Sequence, residues 1–238
     1  KVAVVTGAGR GIGQAIAVAY AQAGAAVCCA ARTASQLAET VQKIEAAGGR
    51  ALAVACDVTD IAQVQAMFER AAQTLGGVDI VVASAGVSPE NKAVEDSDPA
   101  LWRTTIEVNL MGAFHTLQVA IPYLKRRGGG HLITLGSGMG HRSAPTRSAY
   151  AASKAGLWML TRVLAQELAQ DGICVNELVP GPVLTDFIRG REDALRAASA
   201  GGEWMKQAEE VAPIALFIAT QPLKGPTGQT FSLARREL

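Results

Sequence analysis

Tyr150 and Lys154 are the two side chains whose types and spacing indicate chemistry most directly. They stand four residues apart in Tyr-Ala-Ala-Ser-Lys, and this spacing places both on one face of a helix, one turn apart. A free tyrosine has a pKa of about 10 and is a poor base at neutral pH, but a nearby ammonium favours the phenolate. Such a tyrosine can protonate a carbonyl oxygen or deprotonate an alcohol. The same spacing occurs by chance on ordinary helices, so its weight depends on the rest of the chain.

A glycine-rich segment near the start of the chain indicates phosphate binding. Residues 6–13 read Thr-Gly-Ala-Gly-Arg-Gly-Ile-Gly and follow the β-branched run Val2–Thr6. An Ala-rich stretch after them predicts a helix. Glycines let backbone N–H groups approach a pyrophosphate, and the helix N-terminus adds a favourable dipole. An ordinary glycine-rich turn is the alternative, which the strand–turn–helix context disfavours.

Short apolar runs alternate with helical patterns along the whole chain. The runs that predict strands are Val2–Thr6, Ala26–Ala31, Ala51–Cys56, Asp79–Ala83, Leu132–Leu135, Ile173–Val179 and Thr230–Leu233. This alternation predicts βαβ units and a parallel sheet with helices on both faces. No linker or change in composition divides the chain. We therefore expect an α/β protein with a single, doubly wound Rossmann-type sheet of about seven strands.

Composition narrows the classes of function. The 238 residues carry a net charge of +1, so no global field indicates nucleic acid or an anionic membrane as a partner. The four cysteines form no C-x-x-C pair and the three histidines show no metal-ligand spacing, so we expect no metal. No signal peptide or stretch of bilayer length is visible. These features predict a cytoplasmic protein.

The spacing Gly-x-x-x-Gly-x-Gly after the first strand resembles that of the short-chain dehydrogenase/reductase family. Further motifs of that family follow in order from Thr6 to about Thr185, and more loosely to Thr230. The resemblance implies hydride transfer between a nicotinamide cofactor and a carbonyl or secondary alcohol, with Tyr150 as general acid/base. It also implies one catalytic domain over residues 1–238, with a short substrate lid around 186–208.

The resemblance assigns two further catalytic residues beside Tyr150 and Lys154. Ser137, thirteen residues before the tyrosine, matches the family serine whose hydroxyl holds the substrate oxygen. Asn109 matches the family asparagine that positions a water between the lysine and solvent. A purely structural asparagine is the alternative. The sequence departs from the family at Gly136, which stands where a serine is common.

The resemblance also assigns the cofactor site. Asp57 and Val58 match an adenine-contacting pair, and Ser84 replaces the usual asparagine of an Asn-Ala-Gly motif. The predicted cofactor-binding residues are Gly7, Arg10, Gly11, Ile12, Gly13, Arg32, Asp57, Val58, Ser84, Ala85, Gly86, Tyr150, Lys154, Pro180, Gly181, Val183 and Thr185.

The end of the second strand predicts which nicotinamide cofactor is bound. An acidic residue there binds the ribose 2′-hydroxyl, whereas a basic residue accommodates a 2′-phosphate. Ala31 stands where relatives that use NAD carry an acid, Arg32 follows it, and Arg10 lies inside the glycine loop. Two guanidiniums would form charge-assisted bonds with a phosphate. We predict NADP(H) rather than NAD(H), although each arginine alone is compatible with a solvated surface charge.

The predicted substrate side is largely apolar, which suits a hydrophobic carbonyl compound. Its residues are Gly138, Met139, His141, Arg142, Leu184, Phe187 and Trp204. Arg142 either meets a carboxylate or phosphate of the substrate or is a solvated loop charge.

Two predicted helices, Leu101–Tyr123 and Ala151–Leu168, are apolar around most of their circumference. Such helices favour burial on more than one side, so we expect a homotetramer, with a dimer as the alternative.

Three functions remain open at this point. The function that the motifs favour most is that of an NADPH-dependent carbonyl reductase or reversible alcohol dehydrogenase. A 3-oxoacyl thioester reductase would need a basic surface for its acyl carrier, which Arg126 and Arg127, or Arg142, could supply. A catalytically idle NADP-binding regulator is disfavoured by the intact catalytic set.

Overall fold

Seven parallel strands form one sheet in the computed structural model, which describes residues 1–188 and 204–235. The strands are β1 Val2–Thr6, β2 Ala26–Ala31, β3 Arg50–Ala55, β4 Ile80–Ala83, β5 Gly130–Leu135, β6 Ile173–Val179 and β7 Thr230–Ser232. Their order is β3-β2-β1-β4-β5-β6-β7. The predicted α/β fold with a doubly wound sheet is confirmed. Most of the predicted lid, residues 189–203, lies outside the described residues.

Helices cover both faces of the sheet. They are α1 Gly11–Gln22, α2 Ala34–Ala46, α3 Ile61–Leu75, α4 Pro99–Ile106, α5 Gly112–Arg126, α6 Ser148–Glu167 and α7 Ala212–Ala219. Helices α3, α5 and α6 pack on one face and α1, α2 and α7 on the other. None of the helices in the described ranges is both long and apolar enough to cross a bilayer.

Two apolar cores result from the alternation of side chains along the strands. Val4 belongs to the core that contains Phe68 of α3 and Leu117 of α5. The next residue, Val5, belongs to the core that contains Ile16 of α1. Successive residues of a strand point to opposite faces, so a strand covered on both sides must be apolar throughout.

The ends of α3 illustrate how local chemistry sets the bounds of the helices. The Asp60 carboxylate accepts hydrogen bonds from the backbone N–H groups of Ala62 and Gln63, which have no partner within the helix. Gly76 ends the helix with φ of 92°, a left-handed conformation that glycine adopts without steric cost.

The predicted helix Leu101–Tyr123 is not one regular α-helix. A π-helical turn, Glu107–Met111, joins α4 to α5 and contains Asn109. Turns of this type insert one extra residue into a helix and are frequent at functional sites. Sequence periodicity does not reveal such an insertion, because the apolar pattern continues through it.

The strand order reverses beside β1, whose neighbours β2 and β4 lead in opposite directions along the sheet. Open parallel sheets bind ligands at the carboxyl ends of their strands, at such a point of reversal. The glycine-rich loop follows β1 there, so the fold places it at the expected ligand-binding edge.

Candidate active site

A cleft of about 340 Å³ runs along the carboxyl ends of the strands. Its volume lies in the range of small-molecule sites. All of the predicted cofactor residues line it, from Gly7 in the loop after β1 to Thr185 beyond β6. Ser137, Tyr150 and Lys154 line the same cleft.

Two glycines of the loop after β1 are required by close backbone approach. Gly7 has φ of 68°, and a Cβ there would lie 2.9 Å from Ala85 Cα. A Cβ on Gly13 would overlap the carbonyl oxygen of Gly7. The loop therefore keeps its backbone accessible at the N-terminus of α1, an arrangement that fits the pyrophosphate of a dinucleotide.

The ends of β1 and β4 are joined by one hydroxyl. Thr6 Oγ1 accepts hydrogen bonds from the backbone N–H groups of Ser84 at 3.1 Å and Ala85 at 3.3 Å. This contact fixes the position of the glycine loop relative to the segment after β4 that contains Gly86.

The predicted adenosine end of the cleft carries both arginines. Arg32 follows β2 and is exposed at the rim, with Thr33 nearby. Arg10 Nη1 lies 3.3 Å from Asp186 Oδ2, and the Arg10 side chain remains 61% exposed. Both guanidiniums are therefore accessible to solvent at this end of the cleft.

Asp57 and Val58 line the cleft after β3. Asp57 Oδ1 accepts hydrogen bonds from the backbone N–H of Thr59 at 3.0 Å and its hydroxyl at 2.8 Å. A Cβ on Gly112 would lie 2.5 Å from Val58 Cγ2. These contacts fix the loop after β3 against the start of α5.

Lys154 is buried beside the ring of Tyr150. Its Nζ lies 5.7 Å from the ring centroid and donates a hydrogen bond to the backbone oxygen of Leu135 at 2.7 Å. Burial lowers the pKa of Lys154 to about 8, while the negative charge of Glu177 acts in the opposite direction. A lysine with this pKa is mostly charged at neutral pH.

Ser137 ends the segment that enters the cleft from β5. Its Oγ accepts a hydrogen bond from the backbone N–H of Met139 at 3.2 Å and so caps the turn Gly138–Gly140. On the other side of the cleft the ring of Phe187 lies 5.7 Å from that of Tyr150. Tyr150 therefore has an aromatic ring as a neighbour, and the Ser137 hydroxyl lines the same cleft.

Asn109 is fully buried next to the cleft rather than in its lining. Its Nδ2 donates to the backbone oxygen of Val87 at 2.9 Å and to Ser153 Oγ at 3.1 Å, and its Oδ1 accepts from Val87 N–H at 2.7 Å. Both side-chain donors are thus occupied. A water between Asn109 and Lys154 must therefore donate its hydrogen bond to an oxygen of the asparagine.

The loop after β6 completes the site at its predicted nicotinamide end. Pro180, Gly181, Val183 and Thr185 all line the cleft. A Cβ on Gly11 of the glycine loop would lie 3.2 Å from Thr185 Cγ2. The two loops are therefore in van der Waals reach across the cleft.

The predicted substrate residues separate into two groups. Gly138, Met139, Arg142 and Phe187 line the cleft. Three others do not line it: His141, Leu184 and Trp204.

Each of these three has a contact that places it elsewhere. His141 Nε2 lies 2.8 Å from Glu177 Oε2, beneath the loop. Leu184 pairs with Lys206 through its backbone N–H. The Trp204 side chain is 67% exposed, with the Arg235 guanidinium 4.5 Å from its ring. Sequence position near a motif does not determine where a loop side chain points.

The sequence-based prediction lacks several charged residues at or near the site, among them Asp186, Arg147 and Glu177. Arg147 lines the cleft, and its Nη1 donates to Ser88 Oγ at 3.0 Å. No motif or periodicity marks it. Glu177, by contrast, could have been found from the sequence. It places a charge within the apolar run of β6, and charged residues are rare in a strand that is covered on both sides.

A sequence model of the family described as short chain dehydrogenase matches residues 1–195, well over half of the chain. The chain belongs to the short-chain dehydrogenase family. The resemblance stated from the motifs is thereby confirmed. Proteins of this family are oxidoreductases that use a nicotinamide cofactor, NAD or NADP, on small-molecule substrates.

Relatives within the short-chain dehydrogenase family cover nearly the whole chain. A D-beta-hydroxybutyrate dehydrogenase of Rhizobium meliloti is 36% identical over an alignment of 251 positions, which covers 98% of this chain and 96% of the relative. A 3-oxoacyl-(acyl-carrier-protein) reductase of Thermotoga maritima is 32% identical over 238 residues, with the same coverage. The crystal structure of a short-chain type dehydrogenase/reductase from Mycobacterium marinum superposes with a TM-score of 0.92 at 34% identity, over 98% of this chain and 94% of that one.

Proposed function

We propose that the protein transfers a hydride between NADP(H) and a carbonyl or secondary alcohol, with Tyr150 as general acid/base. The observation that carries this proposal is the shared cleft. Tyr150, Lys154 and Ser137 line the same continuous cleft as the glycine loop. Proton chemistry and dinucleotide binding therefore meet at one place.

The side chains have separate roles in this mechanism. The bound nicotinamide ring supplies or accepts the hydride. Ser137 orients the substrate oxygen through its hydroxyl, and Tyr150 donates its phenolic proton to that oxygen during reduction or accepts the proton during oxidation. Lys154 stabilises the phenolate, because it is charged at neutral pH and lies beside the ring.

The preference for NADP(H) is supported by the charges at the adenosine rim. Arg32 and Arg10 are accessible there, and Ala31 offers no carboxylate to a ribose 2′-hydroxyl. Charge-assisted bonds between guanidinium and phosphate contribute about 1.5–3 kcal/mol each.

Arg32→Ala tests this preference. We expect it to weaken NADPH binding by about tenfold or more and to leave NADH binding nearly unchanged. Fluorescence titration with both cofactors measures this, with the exposed Arg70→Ala on α3 as the matched control. Tighter binding of NADH than NADPH by the unaltered protein would contradict the proposal.

A 3-oxoacyl thioester reductase is the second candidate. Arg142 and Arg147 both line the substrate side of the cleft, where they could meet the phosphate of an acyl carrier. The similarity to a relative named as such a reductase supports the same reading.

A screen of ketones, keto-esters, 3-oxoacids and 3-oxoacyl thioesters with NADPH separates these functions. The absorbance of the reduced nicotinamide reports turnover. Preference for thioesters selects the second candidate, and preference for simple ketones the first. Binding of NADPH without turnover of any compound would favour the non-catalytic regulator.

Three further expectations belong to this proposal. We propose a homotetramer, because large apolar side chains remain exposed on α6 and α7. We propose that residues 186–208 act as the substrate lid of one catalytic domain, since Phe187 at its start contacts Tyr150. We propose a cytoplasmic location, because the described chain has four buried free cysteines, which a reducing compartment keeps as thiols.

A further inference from the structure

A buried carboxylate lies beneath the loop that carries Ser137. Glu177 of β6 has no exposed surface. Its Oε2 lies 2.8 Å from His141 Nε2 and accepts a hydrogen bond from Thr230 Oγ1 at 2.8 Å. A carboxylate removed from water costs free energy unless it is paired and hydrogen-bonded, so this arrangement needs a physical reason.

The direction of the Glu177 side chain follows from the strand register. Glu177 pairs with Thr134 of β5, and register partners in parallel strands point to the same face. Thr134 Oγ1 is hydrogen-bonded at 2.8 Å to Thr161 Oγ1 of α6. Glu177 therefore points to the face covered by α6, the helix that carries Lys154.

We propose that Glu177 is a positioning residue that keeps Lys154 charged and anchors the loop that carries Ser137. The inference deepens the proposed function, since it rests on the role of Lys154 in the same site.

The electrostatic part of the proposal starts from the burial of Lys154. Its hydrogen bond to Leu135 is made with a neutral carbonyl, which does not balance its charge. Within the described residues, Glu177 is the group whose charge acts on it, in the direction opposite to burial. Glu177 Oε1 has no hydrogen-bond partner in those residues, so part of the negative charge remains uncompensated. The groups that face this pair are Tyr150 on α6, His141 on the loop after β5, the hydroxyl of Thr230 on β7 and the neutral Asn109 on the π turn.

The mechanical part of the proposal concerns the loop 136–141. A Cβ on Gly136 would overlap Glu177 Oε1, so the position of the Glu177 side chain requires glycine at 136. His141 lies between Glu177 and the ring of Trp158, with ring centroids 5.0 Å apart. A Cβ on Gly140 would lie 2.8 Å from the backbone of Lys154. The loop is thus held between β6 and α6.

Glu177→Gln tests the proposal because it removes the charge and keeps the size. We expect the ionisation midpoint of Lys154 to fall by about one pH unit. The midpoint is read without cofactor, by NMR of ¹³Cε-labelled lysine, with the signal assigned by its loss in Lys154→Met. Thr230→Val is the matched control, since it removes a hydrogen bond to the same oxygen but leaves the charge. In Thr230→Val, the ionisation midpoint of Lys154 should equal that in the unaltered protein.

Turnover gives a second measurement. In Glu177→Gln, the decline of carbonyl reduction at alkaline pH should move down by the same one unit, with kcat at neutral pH reduced about twofold, as the charged fraction of Lys154 falls, and KM little changed. If Glu177→Gln does not fold, Glu177→Met replaces it, because an apolar side chain needs no buried partner.

An unchanged Lys154 midpoint in the neutral variants, or an equal shift in Thr230→Val, would overturn the proposal. If no substrate is turned over at all, the proposed function fails. The NMR midpoint still decides the inference in that case.

Discussion

At the scale of single residues, the proposed site depends on a charge that is largely removed from water. Lys154 is buried, and its pKa lies at about 8 instead of 10.5. The burial of Lys154 lowers the stability of the folded protein, but it places a cation next to Tyr150. Functional sites commonly contain such perturbed groups, because the perturbation is what makes them reactive.

Tyr150→Phe removes the proposed proton donor and keeps the aromatic ring. We expect turnover to fall by about 100-fold or more, while NADPH binding is retained. Steady-state kinetics and cofactor titration measure the two effects. Tyr123→Phe, whose ring packs on Phe68 at 5.6 Å outside the cleft lining, is the matched control and should retain full turnover. Full activity in Tyr150→Phe would mean that another group transfers the proton.

The depressed pKa of Lys154 makes stability depend on pH. Its folded-state pKa of about 8 lies below the ordinary 10.5, so between these values the unfolded chain binds more protons than the folded one. Stability therefore rises with pH across that window. From the lower to the upper end of this pH window, about 8 to 10.5, the free energy of unfolding of the unaltered protein should rise by about 3 kcal/mol relative to that of Lys154→Met.

Urea unfolding at a series of pH values, without cofactor, measures this difference. The exposed Lys43→Met is the control and should show no such dependence. A constant difference between the unaltered protein and Lys154→Met across the window would show that Lys154 titrates normally.

At the scale of elements, the site is assembled by turns and interruptions rather than by regular structure. The glycine turn after β1 and the capped turn after β5 line the cleft, and the π turn between α4 and α5 places Asn109 directly next to it. The π turn contributes Asn109, which connects the loop after β4 to Ser153 of α6 through three hydrogen bonds.

Asn109→Ala should therefore loosen three elements at once. It leaves the N–H and C=O of the half-buried Val87 and the hydroxyl of the buried Ser153 each short of one partner. We expect a loss of about 3 kcal/mol in the free energy of unfolding. Chemical denaturation measures this, with Gln73→Ala on the exposed face of α3 as the control. A loss no larger than that of the control would show that water replaces the amide without cost.

At the scale of the whole molecule, apolar surface remains that the single chain does not cover. Met159 and Val163 of α6 are 49% and 43% exposed, and Phe217 of α7 is 48% exposed. Such side chains scattered singly would be ordinary, but Met159 and Val163 share one helix face. The pair on α6 and the single Phe217 on α7 lie on opposite faces of the sheet, which fits an assembly with more than one kind of contact.

The double substitution Met159→Glu and Val163→Glu should break contacts through α6. We expect the unaltered protein to sediment as a tetramer and the double variant as a smaller species, because two buried carboxylates are costly. Gln65→Glu with Gln73→Glu adds the same charge on α3 and should leave the tetramer intact. A monomeric unaltered protein, or a tetrameric double variant, would contradict the expected assembly.

Much of this molecule can be predicted from its sequence, because the signals are local. The strand ranges follow from short apolar runs, and the glycine loop and the pair Tyr150 and Lys154 follow from spacing along one chain segment. Each of these features depends on neighbours within a few residues. The fold class and the family could therefore be predicted from the sequence.

Tertiary structure decided what depends on contacts between distant segments. In the folded chain His141 points away from the cleft toward Glu177, thirty-six residues later in the sequence. The π turn at Asn109 places the asparagine amide in hydrogen-bond contact with Val87 and Ser153. The direction of a loop side chain and the pKa of a buried lysine depend on which strands and helices become neighbours. No local pattern contains that information, so only the assembled sheet and helices determine them.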